Sequence, residues 1–270
     1  MRLIIQHKTL YRYDDAPKNL IQVLRLWPRS EVHQRVVEWR VIAPGKLTAF
    51  TDAFGNLSYT HVMAAPKKDM ALVVQGTVDT EPLVSGVLGA DASGQGVPAI
   101  SYRVATPLTQ GFAQIDALAH STLPDGLRTE WDALALAKVI CQAMPYTAGS
   151  TDVTSTAQQA FEGAHGVCQD HAHVMIAACR ALGVAARYVS GYVEPGNSRA
   201  AASHAWVDMW LANRWISVDV TNEVFASEYH CRLAVGRDYL DACPVRGMRE
   251  GGFEEHLEVT VAVQTQQQQG

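Results

Sequence analysis

The hydrophobic period changes twice along this chain, and that change limits the fold more than any other feature. From Met1 to about Thr80 apolar side chains recur at every second position, as in Val37, Trp39 and Val41 and again in Leu72, Val74 and Val78. A period of two puts alternate side chains on opposite faces of a strand, so these segments read as strands with one buried face. Asp52-Ala53-Phe54-Gly55-Asn56 separates LTAFT from LSYTHVM and supplies turn-forming residues, which predicts a hairpin there. The first hundred residues therefore read as an antiparallel β-sandwich.

Beyond residue 126 the period lengthens to that of a helix. Leu127, Trp131, Leu134, Leu136, Val139, Ile140 and Ala143 form a broad apolar stripe that ends before Pro145. Thr156 is placed to cap a short helix stopping at Gly163. A further helix begins near Cys168, with Ala172, Met175, Ile176, Cys179 and Leu182 at steps of three and four and Gly183 to close it. The period then returns to two in AARYVSGYV, SHAWVDMWL and WISVDVTN. One helix followed by antiparallel strands describes an α+β domain. The glycine-rich passage from Val84 to Pro98 reads as the junction, and Glu254 to Val263 as a last strand. The division expected is a sandwich over residues 1–105, a second domain over 106–264 and a flexible glutamine-rich tail over 265–270.

Composition narrows the class. With 270 residues, 48% hydrophobic and 18% charged, the chain affords one or two packed cores. A net charge of −5 gives no general attraction to phosphate backbones, and Arg25, Arg29, Arg35 and Arg40 are interleaved with apolar and acidic residues. They read as the solvated face of strands, so no nucleic-acid partner is expected. The opening MRLIIQHKTLYRYDD has too short an apolar run for a signal peptide or a membrane anchor, which predicts a cytoplasmic protein without a membrane partner. Five cysteines at irregular spacing argue against a disulfide framework and leave at least one thiol free to react.

Cys168 is the thiol whose position suggests chemistry. It stands at a predicted helix N-terminus, where unpaired backbone amides and the positive end of the helix dipole favour thiolate. Gly166, two residues earlier, lets the backbone bend tightly, and the amide of Cys168 is placed to meet a developing oxyanion. An amine leaving group needs a proton donor, for which His204 is the candidate, and Asp219 is the carboxylate that would orient the imidazole. The spacing is testable. If Ala212 and Asn213 form a two-residue turn, Leu211 faces Arg214, Trp206 faces Asp219, and His204 and Asp219 become diagonal neighbours on one face, about 7–8 Å apart at the backbone. Cys141, Cys179, Cys231 and Cys243 read as core filler. Cys168, Asp170, His171 and His173 resemble a metal cluster on paper, but positions 168, 171 and 173 do not share a helical face, so neither metal nor cofactor is expected.

Three blocks, GVCQDHAHVMIAACRALGVAARYVSGYV, ASHAWVDMWLANRWISVDVTN and HCRLAVGRDYLDACPVRG, together resemble the bacterial transglutaminase-like cysteine peptidases over residues 107–250. The β-rich first part also resembles the N-terminal domain that accompanies this group. The resemblance implies a papain- or transglutaminase-like catalytic domain with nucleophile Cys168, base His204 and orienting Asp219. It further implies supporting places for Tyr146, in an aromatic approach loop, for Gln169 beside the nucleophile, and for Asn222 in an aspartate-x-threonine-asparagine ending; Trp206, which with Trp210 shares the alternation of His204, reads as aromatic packing or as a shield from water. His171 stands where relatives usually carry an aromatic residue, which predicts a more polar wall beside Cys168. The activity expected is attack on a peptide or carboxamide bond through a thioester, with hydrolysis favoured over transamidation. The rival reading is a non-catalytic module that binds a peptide in the same cleft.

Overall fold

The computed structural model describes residues 1–89, 97–194, 203–252 and 254–266. Six strands open the chain: β1 (Arg2–Tyr13), β2 (Asn19–Leu24), β3 (Gln34–Ile42), β4 (Lys46–Thr51), β5 (Leu57–Ala64) and β6 (Asp69–Thr80). Between β4 and β5 the expected hairpin is present. Gly55 adopts φ +77°, and the Asp52 carboxylate accepts from the amides of Phe54 and Asn56. Two further strands close the molecule, β12 (Val245–Glu250) and β13 (Glu255–Gln266). The sheets run β13-β1-β6-β3 and β12-β2-β5-β4, all antiparallel. Leu3 and Ile5 of β1, Leu20 and Leu24 of β2, Trp39 of β3 and Val74 of β6 share one buried cluster, which makes the pair of sheets a sandwich.

The domain division expected from the sequence is corrected here. Residues 245–266 were assigned to the second domain and the tail, but β12 pairs with β2 and β13 pairs with the whole of β1, from Tyr13↔Glu255 to Arg2↔Gln266. Residues 265 and 266 are therefore strand, while 267–270 lie outside the described residues. Both closing strands cover sheet edges that would otherwise present unpaired amides and carbonyls. Their outward faces are exposed almost throughout, with Val263 the buried residue of β13; Leu257, Val259, Val261 and Val263 keep the period of two that marked this segment as a last strand, whereas β12 carries no such alternation.

Between these strands lies the second unit: α1 (Ala113–Thr122), α2 (Glu130–Ala143), α3 (Ala157–Gly163), α4 (Cys168–Ala181), β7 (Ala186–Val193), β8 (Ser203–Leu211), β9 (Arg214–Asp219), β10 (Val224–Phe225), β11 (His230–Gly236) and α5 (Tyr239–Ala242). The strands form one antiparallel sheet, β10-β9-β8-β7-β11. Thr156 caps α3 and Gly183 ends the α4 turn at φ +75°, as the sequence suggested. α1 was not foreseen, because it buries only Ile115 and Ala119 and so carries a thin stripe. Trp131 departs from the expected apolar stripe of α2: it is 62% exposed and meets Phe225 edge-on.

α4 is the axis of this unit. Ala205, Val207 and Met209 from one face of β8 join its core cluster, and α1, α2 and α3 wrap its other sides, so residues 169 to 179 are all buried. A helix buried all round must satisfy its polar side chains internally. The opposite face of the sheet holds a charged network instead. Asp208, wholly buried, receives Arg187 at 2.8 Å and Arg232 through two hydrogen bonds, and Arg232 also pairs with Glu31 at 2.9 Å. Glu31 is further paired with Arg29, which with Arg25 is largely buried rather than solvated as expected; Arg35 and Arg40 remain exposed. This network ties the loop between β2 and β3 to the sheet of the second unit. Among the described residues no helix is long and apolar enough to cross a membrane.

Candidate functional site

The site forms where the start of α4 meets the ends of β8 and β9. Val167 precedes α4 in extended conformation, and the Asp170 carboxylate accepts from the Val167 amide at 2.7 Å and from the Thr151 hydroxyl at 2.6 Å. That bond fixes the first turn and leaves Cys168 half-buried at the helix entrance. Gly166 is needed here for space rather than for an unusual φ: a Cβ at that position would lie 2.7 Å from Cβ of Asp170.

The partner histidine arrives by strand register. Ala212 and Asn213 turn with φ +48° and +61°, and the ladder runs from Leu211↔Arg214 to Val207↔Val218, so Trp206 stands opposite Asp219. His204 and Asp219 are then diagonal neighbours, and their side chains meet at 2.8 Å, Nε2 to Oδ1, with neither exposed. His204 Nδ1 makes no hydrogen bond of ordinary geometry, and Cys168 lies close enough for its thiolate to favour the charged ring. Burial pushes the imidazole pKa down, but the charge and hydrogen bond of Asp219, with a smaller contribution from Cys168, more than reverse this and raise it well above the usual range. Burial acts in the opposite sense on Asp219, and the same pairing holds its carboxyl far below the ordinary carboxylate range. At neutral pH the arrangement favours a charged imidazole held between the Asp219 carboxylate and the Cys168 sulfur.

Asp219 is held from several sides. Asn222 donates its backbone amide to Oδ1 at 3.2 Å and its side-chain amide to Oδ2 at 2.6 Å, so this residue stands beside the pair as the sequence placed it. His230, to which the sequence reading gave no role, brings Nε2 to 3.1 Å from Oδ2. Tyr146 also lies at the site. It bridges to Gly166, and its phenol pKa is raised by burial first and by the neighbouring Cys168 second, so the hydroxyl keeps its proton.

Other expected neighbours are placed differently. His171 is 1% exposed, with Nδ1 on the Thr221 hydroxyl at 2.9 Å and Nε2 on the Met144 carbonyl at 2.7 Å. It braces α4 against the end of α2 rather than adding a polar wall. Gln169 turns its amide to the Val153 carbonyl at 3.3 Å. Trp206 lies on the His204 face of β8, as its alternation suggested, and is 0% exposed; its ring packs on His204 at 6.1 Å and on His230 at 5.2 Å. His173 accepts from the Tyr239 amide at 3.1 Å, which spends it on anchoring α5. Among the described residues no group of three His, Cys, Asp or Glu side chains converges on a metal-sized space. A cavity of about 300 Å³ opens between the two units, with Thr9, Tyr11 and Gln22 on one wall and Ser203 and Tyr239 on the other.

This geometry defines a thiol–imidazole–carboxylate site on a papain- or transglutaminase-like α+β fold, and known proteins share both halves of the chain. Residues 118–220 match the transglutaminase-like superfamily core, and residues 3–79 match the bacterial transglutaminase-like N-terminal region. An uncharacterized protein of Mycobacterium leprae is 28% identical over 279 residues, spanning 97% of this chain and 98% of that one. Another, from Mycobacterium tuberculosis, is 31% identical over 280 residues, spanning 92% and 87%. The crystal structure of a candidate cysteine protease from Cytophaga hutchinsonii has the same fold, with a TM-score of 0.76 at 22% identity over 97% of this chain and 90% of that one. The chain belongs to the transglutaminase-like superfamily, in the form that carries the bacterial N-terminal region.

Proposed function

We propose that the protein is a cysteine-dependent acyl-transfer enzyme in which Cys168 attacks a peptide or carboxamide carbonyl, His204 protonates the departing amine and Asp219 orients the ring. The observation that carries this reading is the buried His204–Asp219 pair at 2.8 Å, with Nδ1 left without an ordinary partner beside the Cys168 thiol. The thiol proton passes from Cys168 to Nδ1 of His204, which leaves an imidazolium held by Asp219 and a thiolate that adds to the carbonyl carbon. Negative charge then develops on the carbonyl oxygen, where the Cys168 backbone amide at the start of α4 and the protonated Tyr146 hydroxyl are the donors at hand. Collapse expels the amine with the proton from His204 and leaves a thioester. A water that gives its proton back to His204 then releases the acid.

Hydrolysis is the reading taken, with water as the acceptor of the thioester, and transfer to a second amine is its tested alternative. The cavity beside Ser203, which directly precedes His204, is the proposed subsite for part of the substrate. None of the five cysteines is in a disulfide, which suits a reducing compartment, and we assign the protein to the cytoplasm. The test is iodoacetamide labelling together with turnover of short peptides and carboxamides, with and without added amines. Cys168 is expected to label fastest near neutral pH, and Cys168→Ala to abolish turnover with the fold intact. Slow, equal labelling of all five thiols and no turnover would favour the non-catalytic peptide-binding module.

A further inference from the structure

His230 opens β11, and nothing in the linear spacing of the motifs points to it. The stretch from Val220 to Tyr229 folds back across the end of the sheet and delivers its ring to the far oxygen of Asp219. Its tautomer follows from its two partners. The Ser227 backbone amide donates to Nδ1 at 3.1 Å, so Nδ1 carries a lone pair, and the ring proton sits on Nε2, 3.1 Å from Oδ2 of Asp219. The ring is 5% exposed and meets Trp206 edge-on at 5.2 Å, and the same indole packs against His204. One tryptophan therefore fixes the planes of both histidines that bond to Asp219.

We propose that His230 is a positioning residue for the catalytic pair, a neutral histidine whose Nε2–H holds Oδ2 of Asp219 so that Oδ1 stays aimed at His204. The inference rests on the triad reading above and extends it. A carboxylate bound by His204 alone on one side is free to turn about its own axis; with His230 and Asn222 on Oδ2 it is not. The donated hydrogen bond also draws charge from Asp219, and so limits how strongly that carboxylate holds the proton on His204. The other groups that face this pair are Cys168 and His171 on α4, with Asp170 acting on His171. His171 has both nitrogens committed to Thr221 and Met144 and does not compete for Asp219.

Two substitutions separate the role from mere packing. His230→Asn keeps an acceptor for the Ser227 amide but is too short to reach Asp219, whereas His230→Gln retains a donor at the distance of Nε2. For His230→Asn we expect kcat to fall about tenfold with KM unchanged, the loss of one hydrogen bond to a charged acceptor. The alkaline limb of kcat/KM should move up by roughly one pH unit, because a less satisfied Asp219 holds the His204 proton more tightly. His230→Gln should restore both. Equal behaviour of the two variants, or an unmoved alkaline limb, overturns the proposal. A third measurement needs no variant: nitrogen-15 NMR of the wild-type ring should show the lone pair on Nδ1 and the proton on Nε2, and the other tautomer overturns the proposal as well. That spectrum is read whether or not Cys168 proves catalytic, so a failure of the enzymatic reading is told apart by absent fast alkylation of Cys168.

Discussion

Asp219 accepts four hydrogen bonds: His204 and the Asn222 amide on Oδ1, the Asn222 side chain and His230 on Oδ2. Asp219→Asn removes the charge and turns one acceptor into a donor. Whichever way the amide is oriented, its NH2 faces two donors, so two of the four bonds are lost. Hydrogen bonds to charged groups contribute ~1.5–3 kcal/mol each, so the deficit is about 3–6 kcal/mol. Because this loss falls on the charged pair that the reaction uses, and 1.4 kcal/mol is a factor of ten, kcat/KM should drop roughly 10² to 10⁴-fold. A second readout isolates the cause. The rate of iodoacetamide labelling at Cys168 depends on the charged His204 beside the sulfur and is compared between the two forms from about pH 6 to 9. In Asp219→Asn the imidazolium loses its anchor, and labelling at neutral pH should slow severalfold. A profile that coincides with the wild type, whatever happens to turnover, would refute the claim that Asp219 sustains the charged pair.

Other consequences are checked as directly. Gly166→Ala forces a Cβ to within 2.7 Å of Asp170 at the helix entrance, so a stability loss of ~1–3 kcal/mol and slower labelling of Cys168 are expected in urea and alkylation experiments. Asp208 lies wholly buried; burial raises its carboxyl pKa, but Arg232 and Arg187 outweigh it and hold the group well below the ordinary range. A depressed folded-state pKa gives stability that is present above the unfolded value of ~3.9 and lost as pH falls below it; urea midpoints should therefore fall from pH 5 to pH 3, and fall less steeply in Asp208→Asn. Parallel slopes would show that another carboxylate governs acid unfolding. Raised basicity of His204 predicts that turnover persists well above the ~6.5 at which free imidazole loses its proton, and a decline centred near 6.5 would contradict the buried ion pair. Leu257→Trp, placed on the wall of the cavity between the units, should raise KM for peptides severalfold while labelling of Cys168 is unchanged; an unaltered KM across a peptide series removes that cavity from the substrate path.

Much of the site was legible because it depends on local rules. The start of α4 at Cys168 followed from helical spacing, and the approach of His204 to Asp219 followed from counting residues around a two-residue turn. Residues whose surroundings come from distant segments were not legible. His171 read as a cleft wall, yet its partners Met144 and Thr221 belong to the end of α2 and the loop after β9, and those contacts place it in the core. Trp206 was on the expected face of β8, but whether that face met solvent or further protein was decided by the segment that returns from Val220 to His230. The period of two announced the sandwich and a last strand, yet could not say that its edges would be closed by strands more than 160 residues further along, because the choice of pairing partner is made by surfaces distant in the chain.

The sequence alone therefore determined the order of strand and helix, the α+β character, and the pairing of one imidazole with one carboxylate across a two-residue turn. These follow from spacing along the chain, which short-range sterics and hydrogen bonding convert directly into geometry. Tertiary structure alone decided which strands complete the sandwich, how Asp208, Glu31 and their arginines lock the two units together, and that a second histidine reaches Asp219. Those outcomes depend on which surfaces meet after the chain has folded back, and no local pattern encodes the meeting of segments that only the completed core brings into contact.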